Sequence, residues 1–185
     1  MAKNKKSSLI GLFVRVIVVS SIITALIRPT MKALYPLRYE DIILEYSKEF
    51  DLSEYLVMGI ISSESNFNEG AKSHKSAKGL MQIKEETAVW CVENLKLGIE
   101  LKDIYHPRQN IYIGCAYLAY LEDLYGGNTT TAIAAYNAGL GNVNKWISDH
   151  RYSDKFGNLK EIPFDETRKY VKKVEKRARI YKMLY

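Results

Sequence analysis

Apolar residues recur along most of this chain at helical spacing, and no stretch alternates strongly enough to predict more than a small hairpin. The first apolar run is of a different kind. Residues 9–27 are 19 residues broken only by Arg15 and a few small polar side chains, close to the ~20 that cross a bilayer as a helix. Lys3, Lys5 and Lys6 precede the run. A cleaved leader has a shorter apolar core and a small-residue cleavage site after it. The pattern therefore predicts an uncleaved signal-anchor over residues 1–28. Its basic flank lies inside, Arg15 snorkels toward that end, and the remaining chain faces outward. Residues 29–36, with Pro29 and Pro36, read as a linker.

From residue 37 the period is helical to the end. Helices are predicted over 38–50 (Ile42, Ile43, Tyr46 and Phe50 inward), 53–61 (Leu56, Ile60 and Ile61 inward, Ser53 as N-cap) and 84–95 (Thr87, Ala88, Cys91 and Leu95). Pro107 starts another over 108–125, which Gly126-Gly127 stops. An Ala-rich helix over 130–137 ends at Ala138-Gly139, and a short one follows over 142–148. A polar loop over 149–161 leads to Pro163, which opens the last helix with Val171, Val174, Ala178 and Tyr181 inward. The predicted fold class is all-α, one helical domain over 37–185.

The net charge of +6 suggests a nucleic-acid partner until it is divided along the chain. Residues 1–28 hold five basic and no acidic residues, 165–185 hold eight and three, and 29–164 hold 14 and 18, a net −4. Basic charge confined to two ends fits membrane orientation and a solvated terminal helix, and excludes a nucleic-acid groove. Cys91 and Cys115 make one disulfide or two buried thiols in neighbouring helices. Neither has a His or Cys partner at metal-ligand spacing, so no metal site is expected.

Four short segments carry candidate chemistry. Glu64-Ser65 falls at the end of the 53–61 helix, where a negative charge is disfavoured by the helix dipole. No Lys or Arg lies between Glu49 and Ala71 to hold Glu64 ionised. Apolar neighbours and a negative helix end push its carboxyl pKa upward, which suits a general acid. Gly79-Leu80-Met81-Gln82 joins a glycine suited to close approach or positive φ with an amide that both donates and accepts. Ala135-Tyr136-Asn137 projects two polar side chains from a tightly packing helix. In residues 162–171 the helix start accounts for Pro163, Asp165 and Glu166, with Tyr170 a turn further on. Taken singly, each segment is as well explained by packing or capping.

Together and in this order, they resemble the motifs of lytic transglycosylases with the soluble-type catalytic domain, a family related in fold to goose-type lysozyme. The resemblance spans residues 37–183. It implies a lysozyme-like helical domain in which Glu64 is the sole catalytic acid/base. Ser65, Gly79, Met81, Gln82, Tyr136, Asn137 and Tyr170 would line the sugar groove or position the Glu. It further implies peptidoglycan strands as substrate, no cofactor, and a bacterial cell-membrane location with the domain on the wall side. The sequence departs from the family in having Ser76-Ala77 before the Gly-Leu-Met-Gln motif, flanked by Lys75 and Lys78. A muramidase on the same scaffold and a non-catalytic wall-binding module are the alternatives. Packing roles are expected for Trp90 and Trp146, and a solvated face for the basic residues 168–182.

Overall fold

The structure, a computed structural model, describes residues 2–155 and 157–185, with side chains from Gly11 onward except that of Ile23. The side chains of the predicted basic flank, Lys3, Lys5 and Lys6, lie outside the described residues. Among the described residues there are eight helices and three isolated β-bridges, but no strand. The chain divides into two compact units between Pro36 and Leu37.

The first unit is one helix, α1 (Ala2–Leu34). Its 24-residue segment Gly11–Leu34, which includes an 18-residue stretch of mean hydropathy 2.0, is long and apolar enough to cross a membrane. The helix does not stop at Pro29, as the linker reading implied, but runs five residues beyond it. Proline removes one backbone donor. The hydroxyl of Thr30 bonds to the Leu26 carbonyl at 2.7 Å, and that of Thr24 to Ser20 at 2.9 Å. Neither bond reaches the carbonyl of Ala25, the one that Pro29 deprives of its helical donor.

The second unit is all-α: α2 (Glu40–Glu49), α3 (Glu54–Glu64), α4 (Glu85–Asn94), α5 (Pro107–Leu124), α6 (Thr129–Ala138), α7 (Leu140–Ile147) and α8 (Asp165–Leu184). Each predicted helix is present, with shifted ends. The last begins at Asp165, after Pro163 and the extended Phe164, so Pro163 precedes the helix rather than opening it. Ser53 stands at the N-cap of α3, yet its hydroxyl makes no cap; its carbonyl receives Leu56 and Val57 instead.

Helix α5 is the centre, packed against α2, α4 and α6. Its Gly114 leaves room for Met81, whose sulfur would lie 2.3 Å from a Cβ placed there. Cys91 on α4 and Cys115 on α5 are buried free thiols, which decides between the two readings of the pair. Burial pushes the Cys91 thiol up to about 12, and Cys115 higher still. Trp146 is buried with its ring 4.9 Å from Phe164, and Trp90 packs 5.0 Å from Tyr120.

Helix α3 departs most from its predicted pattern. Every residue from 56 to 62 is buried, not one face alone. A helix that is apolar all round sits inside the protein. On one side the neighbour is α8, and the contact runs through Gly59. A Cβ there would meet the Val174 carbonyl at 2.9 Å and the Ala178 amide nitrogen at 3.0 Å. Both are backbone atoms, so the helices would have to part. Replacing Gly59 by Val is expected to lower unfolding free energy by ~2 kcal/mol or more, read as a lower urea midpoint with unchanged slope.

Candidate active site

Burial of α3 brings its last residue, Glu64, out at the wall of a cleft of about 330 Å³. Gln82, Tyr117, Tyr136 and Asn137 line the same cleft. Just past the helix, Asn66 (φ 51°) and Phe67 (φ 62°) take the left-handed conformation. That region is costly for a bulky residue. Phe67 is nonetheless fully buried, 5.9 Å from the Tyr181 ring, and that packing holds the chain reversal behind Glu64.

One face of α8 serves the end of α3. Tyr170, Lys173 and Arg177 lie three and four residues apart, on one side of a helix. The Tyr170 hydroxyl donates to Glu64 Oε1 at 2.6 Å. Lys173 donates to the Ser63 carbonyl at 2.7 Å, and Arg177 to the carbonyl and hydroxyl of Ser62. Two cations thus cover the carbonyls that a helix leaves unpaired at its C-terminus. The solvated-face reading of this helix is corrected at half-buried Arg177, whereas Lys173 is exposed with its ammonium tied to α3. Lys172, Lys176 and Lys182 are exposed, as expected.

The Glu64 carboxyl is pushed from its ordinary 4.5 to about 7, chiefly by burial, while the Tyr170 hydrogen bond and the Lys173 charge pull it down. The direction matches the sequence argument, and so does one of its two causes, the apolar surroundings; the negative helix end is not among the causes. The helix end is covered by α8, and desolvation of the carboxylate is what raises the pKa.

The motif at Gly79 forms the facing wall. Gly79 has φ +76°, and a Cβ there would lie 2.4 Å from Asn110 Nδ2, so both reasons for a glycine operate together. Asn110, fully buried on α5, holds the loop: its Oδ1 accepts from the Met81 amide at 2.7 Å. Its Nδ2 donates to the carbonyls of Lys78 at 3.0 Å and Ile104 at 2.8 Å. Sequence reasoning missed Asn110. Its one signal is a polar residue on the apolar face of the central helix. Gln82, left-handed at φ 50°, donates to the carbonyls of Gly79 (2.8 Å) and Ala71 (3.1 Å).

The remaining candidates divide by position. Met81 is fully buried, so its side chain belongs to the core; its carbonyl accepts from the Tyr136 hydroxyl at 2.9 Å. Ser65 lies behind the cleft, its hydroxyl donating to the Leu80 carbonyl at 2.8 Å. Asn137 is at the cleft with its Oδ1 accepting from the buried Thr167 at 2.8 Å. Tyr136 and Tyr117 stand with ring centres 5.6 Å apart, and burial keeps both phenols protonated. Tyr117 was not expected from the sequence. Glu166, attributed to capping, also lines the cleft, where it meets Lys75 at 3.6 Å.

Residues 41–158 match the transglycosylase SLT domain. The chain belongs to the transglycosylase SLT domain family. It is 38% identical over 143 residues to a soluble lytic murein transglycosylase of Salmonella typhimurium, covering 76% of this chain and 22% of that protein. It is 30% identical over 169 residues to a membrane-bound lytic murein transglycosylase C of Histophilus somni, covering 80% and 47%. The solved structure of an inactive Glu-to-Gln mutant of lytic transglycosylase Slt from Pseudomonas aeruginosa superposes with a TM-score of 0.74 at 34% identity, covering 83% of this chain and 25% of that one. The chain thus spans about a fifth of the length of the soluble SLT-domain relative.

A carboxyl whose folded pKa exceeds its unfolded value contributes stability that is full below about 4.5 and is lost as pH rises through about 7. Replacing Glu64 by Gln removes that loss. At pH 8 the variant should be more stable than wild type by on the order of 2–3 kcal/mol, and at pH 4 the two should coincide. Denaturant titrations at the two pH values measure this.

Proposed function

We propose that the chain is a membrane-anchored peptidoglycan lytic transglycosylase with Glu64 as its single acid/base. It would cleave the β-1,4 bond between N-acetylmuramic acid and N-acetylglucosamine. The observation that carries this reading is a carboxyl at the cleft wall with a pKa near 7 and a fixed phenol donor on one oxygen. A group poised near neutrality gives and takes a proton with equal ease. The related Slt described as inactive carries a Glu-to-Gln change, which supports an essential Glu in this family.

Protonated Glu64 gives its proton to the leaving oxygen. The N-acetyl group of the substrate stabilises the cation at C1. Glu64, now a carboxylate, takes the proton of the C6 hydroxyl, which closes on C1 as a 1,6-anhydro ring. No water enters, so the reaction is a lyase step. Tyr170 keeps Glu64 oriented and favours its ionised state for the second transfer. Tyr136 and Tyr117 offer a ring face and a hydroxyl to sugars; Gln82 and Asn137 supply amides. The anchor and catalytic domain are assigned to residues 1–28 and 37–185, with 29–36 a connection that is helical as far as Leu34. The catalytic domain lies on the wall side of a single-pass helix, as the basic flank directs.

Glu166 in the same cleft favours a second reading, a hydrolase with two carboxylates. The products separate the two: anhydro ends, lighter by one water, for the lyase, and reducing ends for the hydrolase. Digestion of purified peptidoglycan with mass spectrometry should give anhydro ends. Glu64→Gln should lower their release by ~10²-fold or more while binding to the wall persists; unchanged release would reject Glu64 as the acid. Tyr170→Phe removes a bond to the charged form and raises the Glu64 pKa further. The alkaline limb of the pH–rate profile should therefore move to higher pH.

A further inference from the structure

We propose that Lys72, Lys75 and Lys84 bind carboxylates on the peptide branches of the glycan strand, an assignment that rests on the function proposed above. Residues 71–84 contain four lysines, one histidine and no acid, although 29–164 as a whole is acidic. The loop folds on itself through bridges from Lys78 to Lys72 and to Ile83. Its lysines are thereby gathered into a second concavity of about 390 Å³, lined by Lys72, Lys75, Lys78, Lys84 and the carboxylates Glu85 and Glu86. Lys75 and Lys84 also line the main cleft, so the two concavities share a wall.

The lysines here already take carboxylates. Lys78 holds Glu85 at 2.6 Å, and Lys75 meets Glu166 at 3.6 Å. The Lys75 pair is open to solvent, with side chains 58% and 75% exposed. Such pairs are weak and exchange readily. Lys72 and Lys84 form no ion pair among the described residues, although Glu85 and Glu86 line the same concavity. A neutral sugar chain has little use for surplus ammonium groups beside its groove. A strand whose side branches end in carboxylates matches them in charge and in place, with the Lys75–Glu166 contact exchanged for a substrate carboxylate.

The test uses the full chain in detergent and uncross-linked wall strands freed of phosphate polymers. In half of the material the carboxylates are converted to methylamides. Binding is followed by co-sedimentation and cleavage by anhydro-product release. Amidation should weaken wild-type binding ~10-fold, with the difference shrinking as salt rises. Lys72→Gln/Lys75→Gln/Lys84→Gln should bind both materials alike, and the corresponding Arg variants should restore selectivity. Equal wild-type binding to both materials, or a triple Gln variant that keeps the wild-type ratio, would overturn the assignment. So would selectivity seen only in strands that retain phosphate. Absence of anhydro ends from either material, with carboxylate-selective binding intact, would reject the lyase and leave the lysine site standing.

Discussion

The approach of α3 to α8 at Gly59 is the constraint on which the site depends. With no side chain at that position, the backbone of α8 lies against α3. At that separation Tyr170, Lys173 and Arg177 reach the last residues of α3 in register. One contact therefore does three things. It buries α3, covers the carbonyls at its end, and fixes a phenol on the catalytic candidate. A buried carboxyl is costly to ionise, and an uncovered helix end would raise that cost further. The Tyr170 hydrogen bond and the Lys173 charge keep Glu64 near neutrality rather than far above it.

The opposite wall is fixed by a different device. Asn110 uses three of its amide's hydrogen-bonding positions on the backbone of the 78–104 region, all buried or nearly so. Satisfied polar groups in a low-dielectric interior specify one arrangement, because any slip leaves a donor or acceptor bare. The loop so held presents the Met81 carbonyl to Tyr136, which ties α6 to the loop. Chemistry at the cleft thus rests on backbone groups that no side-chain motif advertises.

The helices and their order were legible in the sequence because amphipathic spacing agrees with the signals at Pro107, Gly126-Gly127 and Gly139. Glu64 was legible because it closes an apolar helix with no nearby cation in the chain. What could not be read was contact across long separations. Lys173 and Arg177 look like any solvated basic pair until α8 is seen lying on α3. Glu166 fits a helix cap equally well wherever the helix points. Met81 belongs to a motif yet contributes its carbonyl, since its side chain fills the gap left by Gly114. Pro29 suggested a break, but a proline removes a single helical donor, and the helix continues to Leu34.

The two buried thiols carry a consequence for where such a domain can fold. Cys91 and Cys115 sit on adjoining helices, sheltered from solvent and with thiolates strongly disfavoured. The thiolate is the species that attacks disulfides and is oxidised. A domain delivered unfolded to an oxidising exterior is exposed to mispairing only until α4 closes on α5. Once these helices meet, its redox surroundings cease to matter, and its stability needs neither an oxidant nor an isomerase.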